Sequence, residues 1–580
     1  MADIQRAVNL NAVLSSDFIF HVAARLKILI KLKLKVKMGG FIMKRKIFAF
    51  AFILELLFSG SAFAEIISGP DVAVVEVEGG KLQGYIHDGI FTYHGVPYAE
   101  ADLFMPPVKV KPWDGIKMAV TYGAVSPQNI SQAEDMFPAH WYWPHWEPKN
   151  YTQSNNCQNL NIWTPGLDDK KRPVMIWIHG GGFEAGSSSV EDVYDGENLS
   201  RKGDVVVISV NHRLNVLGFL DLSAYGDEYK YSGNLGIMDL VAALEWVNKN
   251  IARFGGDPDN VTLFGQSGGG AKILTLMAVP AAKNLFHKAI EQSGAVELMG
   301  ITLPEQKAAR RVAELTLKNL NISPEKISEL KNVPYSKLIE AANKAMAQAK
   351  EDGEKIYSWS PVRDGDYIPD DPVEGGFPEQ AKNIPLLIGS CLNEWATVPL
   401  FANMPVTQSD NKNFWTDSQI SAKLKDKYGD KADAVVNAFK KAYPNKKAVD
   451  ALYVDTWLRT RAIKTMNAKF NQNGASVYAY VFTWETPVMG GYAMAYHCSE
   501  LPFVFNNIAL SETATGGGER AQALADKVSK AWIDFARTGN PGWKAYTQSE
   551  GATMIFDDEP VLAYNHDAEL MKLLMPDYNY

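Results

Sequence analysis

Four short apolar segments most constrain the fold of this chain, because none of them alternates regularly between apolar and polar residues. They are rich in strand-forming residues and occupy positions 173–179, 204–210, 260–265 and 384–389. A strand with one face in water alternates, whereas a continuous apolar run indicates a strand covered on both faces. The sequence therefore predicts the central strands of a buried sheet.

Helical patterns lie between these segments. The stretch MDLVAALEWVNKNIARFGG, residues 238–256, is apolar at helical spacing and ends at a glycine pair. Strand and helix in alternation predict an α/β fold with a twisted, mostly parallel sheet flanked by helices, whose ligands lie beyond the carboxyl ends of the strands. Residues 301–360 and 405–470 have helical spacing and are predicted to be helical insertions.

The composition is that of a globular protein, with 46% hydrophobic and 21% charged residues among 580. After residue 64 there is no apolar run of the roughly 18 residues that a membrane-spanning helix needs. Cys157, Cys391 and Cys498 are too widely spaced for a zinc site and allow at most one disulfide. We expect neither a metal nor a cofactor.

Residues 43–64 have the pattern of a secretory signal peptide: a basic start, an apolar segment from Ile47 to Phe58 and a small-residue end at Ala62–Ala64. A membrane anchor is the alternative, but this apolar segment is too short to cross a bilayer. Residues 1–42, upstream of the signal, are interpreted as a misassigned extension. The expected product is a periplasmic or secreted protein with one domain, 65–580.

Cleavage of the signal would make the protein strongly acidic. Residues 1–64 contain ten basic and three acidic residues, so their removal changes the net charge from −8 to −15. An acidic surface argues against nucleic-acid or anionic membrane partners. A small molecule is the expected partner, and the oligomeric state stays open.

The strand-like segment VTLFGQSGGG, residues 261–270, runs into a turn in which Ser267 is surrounded by glycines. Gly265 and Gly269 complete the pattern G-x-S-x-G, in which a tight strand-to-helix turn exposes a nucleophilic hydroxyl. A flexible glycine turn is the competing interpretation.

A second glycine-rich stretch, WIHGGGF at 177–183, also follows a predicted buried strand. Backbone N–H groups approach a developing oxyanion closely only where side chains are absent, so this stretch is typical of an oxyanion-binding loop. A glycine hinge is the alternative.

A nucleophilic serine also needs a histidine base and an acid that orients it. With a G-x-S-x-G motif, the order along the chain is serine, acid, histidine. Only His497 and His566 lie well downstream, and His566 sits in a polar tail where we expect it to be solvated. Glu394 follows a predicted buried strand and is the favoured acid. Asp364 and Asp366 compete with it, although a turn-forming role suits them better.

Taken together, these motifs resemble the type-B carboxylesterase/lipase family, which includes the cholinesterases, over residues 72–575. The matching stretches include FTYHGVPYA, CQNLNIWTP, MIWIHGGGF, ISVNHRLNVLGF, AIEQSGA, HCSELPFVF and WIDFARTGNPGW, in the family's order. The resemblance implies the α/β-hydrolase fold and hydrolysis of carboxylic esters through an acyl-enzyme.

The resemblance also assigns roles by position. It implies the nucleophile, acid and base of a triad and three oxyanion amides, at Ser267, Glu394, His497, Gly181, Gly182 and Gly268. It further implies a structural ion pair between Arg213 and Asp239, and a polar role behind the triad for Ser293.

Some positions depart from the family's pattern. Gly268 stands where alanine is usual, which keeps the amide but is expected to loosen the turn. Ser126 stands where a disulfide partner of Cys157 would be, so Cys157 is expected to be a free, buried thiol. Gln266 replaces the glutamate of choline-binding relatives and weakens a cholinesterase assignment.

The loop DMFPAHWYWPHWEP, residues 135–148, resembles the region that borders the active-site gorge in this family. Trp141 and Trp143, together with Phe183 and Gln266, are candidate substrate contacts. Ordinary packing is the alternative, and the spacing of the histidines in this loop has no metal-ligand logic.

The sequence thus predicts a secreted serine esterase. Two alternatives stay open: a catalytically inactive, cholinesterase-like binding or adhesion protein, and a lipase-type esterase acting on long-chain esters.

Overall fold

The computed structural model describes residues 65–128, 152–294, 303–398 and 407–578. The predicted signal peptide, the upstream extension and the tryptophan-rich loop with Trp141 and Trp143 lie outside these residues. From Ile66 onward the described residues form one compact unit.

A large sheet of twelve strands organises the described part of the chain, and a second sheet of three strands, ordered β2-β3-β6, accompanies it. The strands are β1 (Ile66–Ile67), β2 (Val74–Val77), β3 (Gly80–Gln83), β4 (Tyr85–His87), β5 (Ile90–Pro97), β6 (Ile116–Met118), β7 (Asn159–Thr164), β8 (Arg172–Ile178), β9 (Val206–Val210), β10 (Gly256–Gln266), β11 (Lys288–Gln292), β12 (Leu386–Cys391), β13 (Val477–Phe482), β14 (Thr553–Phe556) and β15 (Val561–Ala563).

The large sheet has the order β1-β4-β5-β7-β9-β8-β10-β11-β12-β13-β14-β15. All neighbours from β9 to β14 pair in parallel, whereas the strands at both margins pair antiparallel. The mostly parallel sheet expected from the apolar segments is therefore present.

Both faces of the central sheet are covered, as strand β8 illustrates. Val174 and Ile176 belong to one hydrophobic core, while the intervening Met175 and Trp177 belong to a second core. Since successive side chains of a strand point to opposite faces, both faces of β8 lie in apolar surroundings. This explains why the segment is apolar throughout.

Thirteen α-helices surround the sheet in the described residues. They are α1 (Glu197–Gly203), α2 (Asn215–Phe219), α3 (Leu235–Asn250), α4 (Gly268–Ala278), α5 (Gln306–Leu320), α6 (Tyr335–Glu351), α7 (Asp417–Tyr428), α8 (Ala432–Ala442), α9 (Leu458–Asn471), α10 (Leu501–Val504), α11 (Glu512–Thr515), α12 (Gly518–Thr538) and α13 (Ala568–Leu574). Helices α5 to α9 fall in the predicted insertions. In the regions that the structure describes, no helix is both long and apolar enough to cross a bilayer.

The three cysteines are free. Cys157 is free, as expected from the serine at position 126, and it is also fully buried. Burial raises the pKa of the Cys157 thiol, which keeps it protonated and unreactive.

Candidate active site

The candidate residues follow four strands that are neighbours in the sheet. The glycine loop starts after β8, Ser267 follows β10, Ser293 follows β11 and Glu394 lies just beyond β12. Because these strands are parallel, their carboxyl ends meet at one edge of the sheet. The fold thus gathers groups that are far apart in sequence.

Ser267 has the strained backbone of a sharp strand-to-helix turn, with φ 55° and ψ −125°. A Cβ on Gly269 would lie 2.0 Å from the carbonyl oxygen of Ile178, and one on Gly265 would lie 2.7 Å from the same atom. Side chains at either position would collide with β8, so the turn requires both glycines.

The glycine loop packs directly against this turn. Gly181 and Gly182 have φ of 83° and 61°, in the left-handed region that favours glycine. A Cβ on Gly180 would lie 3.4 Å from Cβ of Ser267, and one on Gly268 would lie 2.5 Å from the Gly182 nitrogen. The backbones of the loop and of the turn are therefore in close contact.

The glycine loop fills the space beside Gly268, a contact that the expectation of a loosened turn did not include. A Cβ there would also lie 2.3 Å from the carbonyl oxygen and 2.4 Å from Cα of Gly182. The backbone of Gly182 occupies the space that a side chain at position 268 would need, so the turn and the loop are closely packed. An alanine at this position has no room in the present loop conformation.

Glu394 is fully buried and has a partner for each carboxylate oxygen. Its Oε1 accepts hydrogen bonds from the Ser293 hydroxyl at 2.6 Å and from the Cys391 backbone N–H at 2.7 Å. Its Oε2 lies 2.6 Å from Nδ1 of His497. The carboxylate is thus held in one orientation with one oxygen directed at the imidazole.

His497 comes from the chain beyond β13 and is fixed by several neighbours. Its backbone N–H donates to the Glu394 carbonyl at 3.0 Å. The Trp395 ring stacks on the imidazole, with centroids 5.2 Å apart and planes at 21°. The Gln266 amide nitrogen lies 3.3 Å from Nε2 of His497, so the imidazole is beside the residue that precedes Ser267.

Acidic neighbours favour the protonated form of His497. Burial opposes that charge, but Cys498 and the Glu394 carboxylate outweigh it and raise the pKa of His497 well above its ordinary value. The positive charge that the His497 imidazole gains when it accepts a proton is therefore stabilised by its surroundings. The pair is suited to a general base that must briefly carry a positive charge.

Three further carboxyl groups are buried near Glu394. Burial raises the pKa of Glu291 to about 8 and that of Asp455 to about 7, and it also raises the pKa of Glu500. The nearby charge of Glu394 acts in the same direction on all three. Like charges disfavour one another, so the Glu394 carboxylate favours the protonated form of each of these three groups.

The competing acids contact other groups. Asp364 accepts hydrogen bonds from the Ile368 N–H at 2.9 Å and from the Asn234 amide at 3.1 Å. Asp366 is exposed and pairs with Lys230 at 2.6 Å. The contacts described for both residues are those of a turn and its surroundings.

The expectation that His566 is solvated is wrong. Its side chain is only 5% exposed and packs edge-on against the Tyr443 ring at 5.3 Å. Burial lowers the pKa of His566 to about 4, and the adjacent Asp567 pairs with Arg459 at 2.6 Å. Helix α8, which ends just before Tyr443, packs against α13, which starts just after Asp567.

The other residues singled out in the sequence are buried. Arg213 and Asp239 form a bidentate ion pair, with N–O distances of 2.8 and 2.7 Å. Phe183 is fully buried and packs edge-on against Phe219, so its ring is not exposed toward a substrate in this conformation. Gln266 is also buried and contacts His497.

Two neighbours of these residues escaped the sequence analysis. The only sequence feature that points to Trp395 is its position directly after Glu394. Lys272 lies in the apolar stretch GAKILTLMAVP just after Ser267, where a lone lysine is the unusual feature. In the parts of the chain that the structure describes, no group of three or more potential ligands is arranged to hold a metal ion.

A model of the carboxylesterase family matches residues 71–572. The chain belongs to the carboxylesterase family. This carboxylesterase is 32% identical over 520 residues to the para-nitrobenzyl esterase of Bacillus subtilis, an alignment that covers 87% of the chain and 98% of that relative. It is 31% identical to the phenmedipham hydrolase of Pseudarthrobacter oxydans over 84% of the chain and 95% of that enzyme.

Solved structures agree with this membership. An esterase from Clostridium hathewayi, described as able to hydrolyse aliphatic aromatic polyesters, superposes with a TM-score of 0.81 at 36% identity. The match covers 89% of this carboxylesterase and 100% of that chain. The fold is that of the α/β-hydrolases, and the chain is a carboxylic ester hydrolase with a small-molecule ester as its substrate.

Proposed function

We propose that this carboxylesterase works through an acyl-enzyme formed on Ser267. His497 takes the serine proton as Ser267 attacks the ester carbonyl, and returns it to the leaving alcohol. Glu394 orients the imidazole and stabilises its charged form. Water then repeats the sequence and releases the acid.

The contact between Glu394 and His497 carries this proposal. A carboxylate fixed by Ser293 and by a backbone N–H, 2.6 Å from Nδ1 of an imidazole, lies at the same edge of the sheet as a serine in a strained turn. This arrangement supports the assignment of a nucleophile, a base and an acid that orients the base.

The amides of Gly181, Gly182 and Gly268 are the proposed oxyanion donors. Their support is the close packing of the glycine loop on the turn, where side chains are absent from both segments. Backbone N–H groups fixed in this way stabilise a tetrahedral oxyanion without reorganising during the reaction.

A fluorophosphonate ester tests the nucleophile. It is expected to label the protein once, on Ser267, because the proposal gives this hydroxyl both a base and oxyanion donors. Ser267→Ala is expected to abolish labelling and nearly all ester hydrolysis while the melting temperature stays close to that of the wild type. An adduct that peptide mapping places on another serine contradicts the assignment.

We further propose that the ester carries an aromatic group. Trp457 is 42% exposed and contacts the Trp395 ring edge-on at 5.6 Å, while Trp395 stacks on His497. The two rings form an aromatic wall beside the proposed base, and such surfaces bind flat apolar groups. The proposal is supported by two relatives, one named a para-nitrobenzyl esterase and one described as able to hydrolyse aliphatic aromatic polyesters.

The wall is tested with Trp457→Ala and a pair of acetate esters, phenyl and ethyl. The substitution is expected to lower kcat/KM for the phenyl ester about two- to tenfold, since an aromatic contact contributes about 0.5–1.5 kcal/mol. The ethyl ester serves as the internal control and keeps its kcat/KM. Equal losses for both esters contradict an aromatic subsite.

Export through the signal peptide is also proposed, on the pattern of residues 43–64. N-terminal sequencing of the exported protein is expected to begin at Glu65. A mature chain that begins before Met43 contradicts both the signal and the interpretation of residues 1–42.

A further inference from the structure

A buried lysine contacts both ends of the glycine loop. Lys272 lies on α4, five residues after Ser267, and is fully buried. Its Nζ donates a hydrogen bond to the His179 carbonyl at 3.0 Å and lies 5.6 Å from the centre of the Phe183 ring. His179 precedes the glycine loop directly, and Phe183 follows it directly.

The surroundings of Lys272 make its burial costly. Within the described residues it forms no ion pair with a carboxylate. Burial lowers the pKa of its ammonium to about 7. A methionine would fill the same space without this desolvation cost, so packing alone does not account for a lysine here.

The groups that face Lys272 are neutral. The rings of His179 and His212 stack at 4.7 Å, and burial together with the charge of Lys272 lowers both of their pKa values well below the ordinary one. Nδ1 of His179 also lies 2.9 Å from the Gly180 carbonyl oxygen. The ammonium is therefore directed at a carbonyl dipole and an aromatic face rather than at a negative charge.

The glycine loop needs an external constraint of this kind. Three consecutive glycines have no side chains to anchor them and lose more backbone entropy on ordering than other residues. An oxyanion site is effective only if its donors are already oriented. Contacts at both flanks limit the conformations open to the loop between them.

We propose that Lys272 is a positioning residue that clamps the glycine loop, through the His179 carbonyl and the Phe183 ring, in the conformation that binds the oxyanion. This inference rests on the proposed oxyanion role of the loop. Through these contacts Lys272 connects helix α4, which starts just after Ser267, to the loop that is proposed to stabilise the oxyanion.

The test compares Lys272→Met and Lys272→Gln with a matched control, Lys469→Met. Lys469 is also fully buried and donates to backbone carbonyls, those of Ala381 and Lys382, which lie outside the glycine loop and the turn. For each protein kcat and KM for one ester, the rate of fluorophosphonate labelling and the melting temperature are measured.

Lys272→Met is expected to lower kcat and the labelling rate about 10- to 100-fold, because loss of one oxyanion donor costs about 10²–10³ and displacement of the loop costs less. KM is expected to stay within about twofold. Lys272→Gln keeps a donor and is expected to recover part of kcat. Lys469→Met is expected to change the melting temperature but not kcat.

Wild-type kcat and labelling in Lys272→Met overturn the clamp while leaving the proposed function intact, whereas wild-type protein that is not labelled on Ser267 overturns the proposed function itself. A loss in Lys272→Met that Lys469→Met reproduces, or that Lys272→Gln does not relieve, also overturns the clamp. If Lys272→Met does not fold, Phe183→Leu removes the ring at the other end, and an unchanged kcat in that variant overturns the proposal.

Discussion

A Cβ on Gly268 would lie 2.3 Å from the carbonyl oxygen of Gly182, closer than any side-chain carbon approaches a carbonyl. The alanine that is usual in the family would therefore displace the glycine loop or the turn. The loop can occupy its present position only because residue 268 is a glycine.

Restoring that alanine is expected to harm the enzyme. Gly268→Ala is predicted to lower kcat at least about tenfold, because an oxyanion donor that is moved loses part of a contribution worth about 10²–10³. Steady-state kinetics measures the loss. Gly69→Ala, whose Cβ would meet only Val72 at an ordinary 3.5 Å, is the matched control. Wild-type kcat in Gly268→Ala would show that the loop relaxes freely.

The acid is tested by two substitutions that each remove one negative charge. Glu394→Gln is predicted to lower kcat by several orders of magnitude, since loss of a triad carboxylate can cost ~10⁴. Asp364→Asn is predicted to leave kcat almost unchanged, because its contacts are with Asn234 and Ile368. The reverse ranking of the two variants would identify Asp364 as the acid.

The pH dependence of kcat/KM follows from the raised pKa of His497. Because the base must be neutral, activity is predicted to rise with pH through that pKa, which lies above the ordinary histidine value. In Glu394→Gln the burial of the imidazole is no longer opposed by the carboxylate, so the acid limb of the residual activity shifts to lower pH. An unshifted limb contradicts the coupling of the two groups.

Glu291 is predicted to make the fold less stable as pH rises. Its pKa of about 8 in the folded chain exceeds the ordinary value, so between about 4.3 and 8 the folded state binds more protons than the unfolded state. Stability then falls with pH, by at most about 1.4 kcal/mol per unit. Glu291→Gln removes this dependence and still accepts the Gly294 N–H. Its melting temperature is expected to exceed that of the wild type increasingly from pH 5 to 8, whereas parallel curves contradict the prediction.

The Arg213–Asp239 pair is predicted to be needed for stability rather than for chemistry. Asp239→Asn leaves a buried guanidinium without its counter-charge, which typically costs about 3–5 kcal/mol. Denaturant unfolding measures this loss. Asp366→Asn, which breaks the exposed pair with Lys230, is the control and is expected to keep the unfolding midpoint. Similar midpoints in both variants contradict the prediction.

Much of the fold was predictable because burial on both faces leaves a strong local signal. The apolar segment at 173–179 corresponds to β8 within one residue, and the segment at 384–389 falls within two residues of β12. Strand β10 starts four residues before the predicted position, since Gly256 pairs with Arg172 across a register shift in a polar stretch that has no strand pattern.

The sequence does not predict the surroundings of residues whose neighbours come from distant parts of the chain. His566 lies in a polar segment, and its neighbour Tyr443 comes from more than 100 residues earlier in the chain. The close packing around Gly268 has no local signal, because the loop that fills the space lies more than 80 residues earlier in sequence. Lys272 has local neighbours typical of a core helix, but its partners follow strand β8.

The three free thiols have a consequence for how this protein folds. No cross-link between cysteines holds the described fold together, so its formation needs neither an oxidant nor a disulfide isomerase. A reductant such as dithiothreitol therefore leaves the melting temperature unchanged. The chain is suited to production in the reducing cytosol of a host cell, irrespective of the compartment in which it acts.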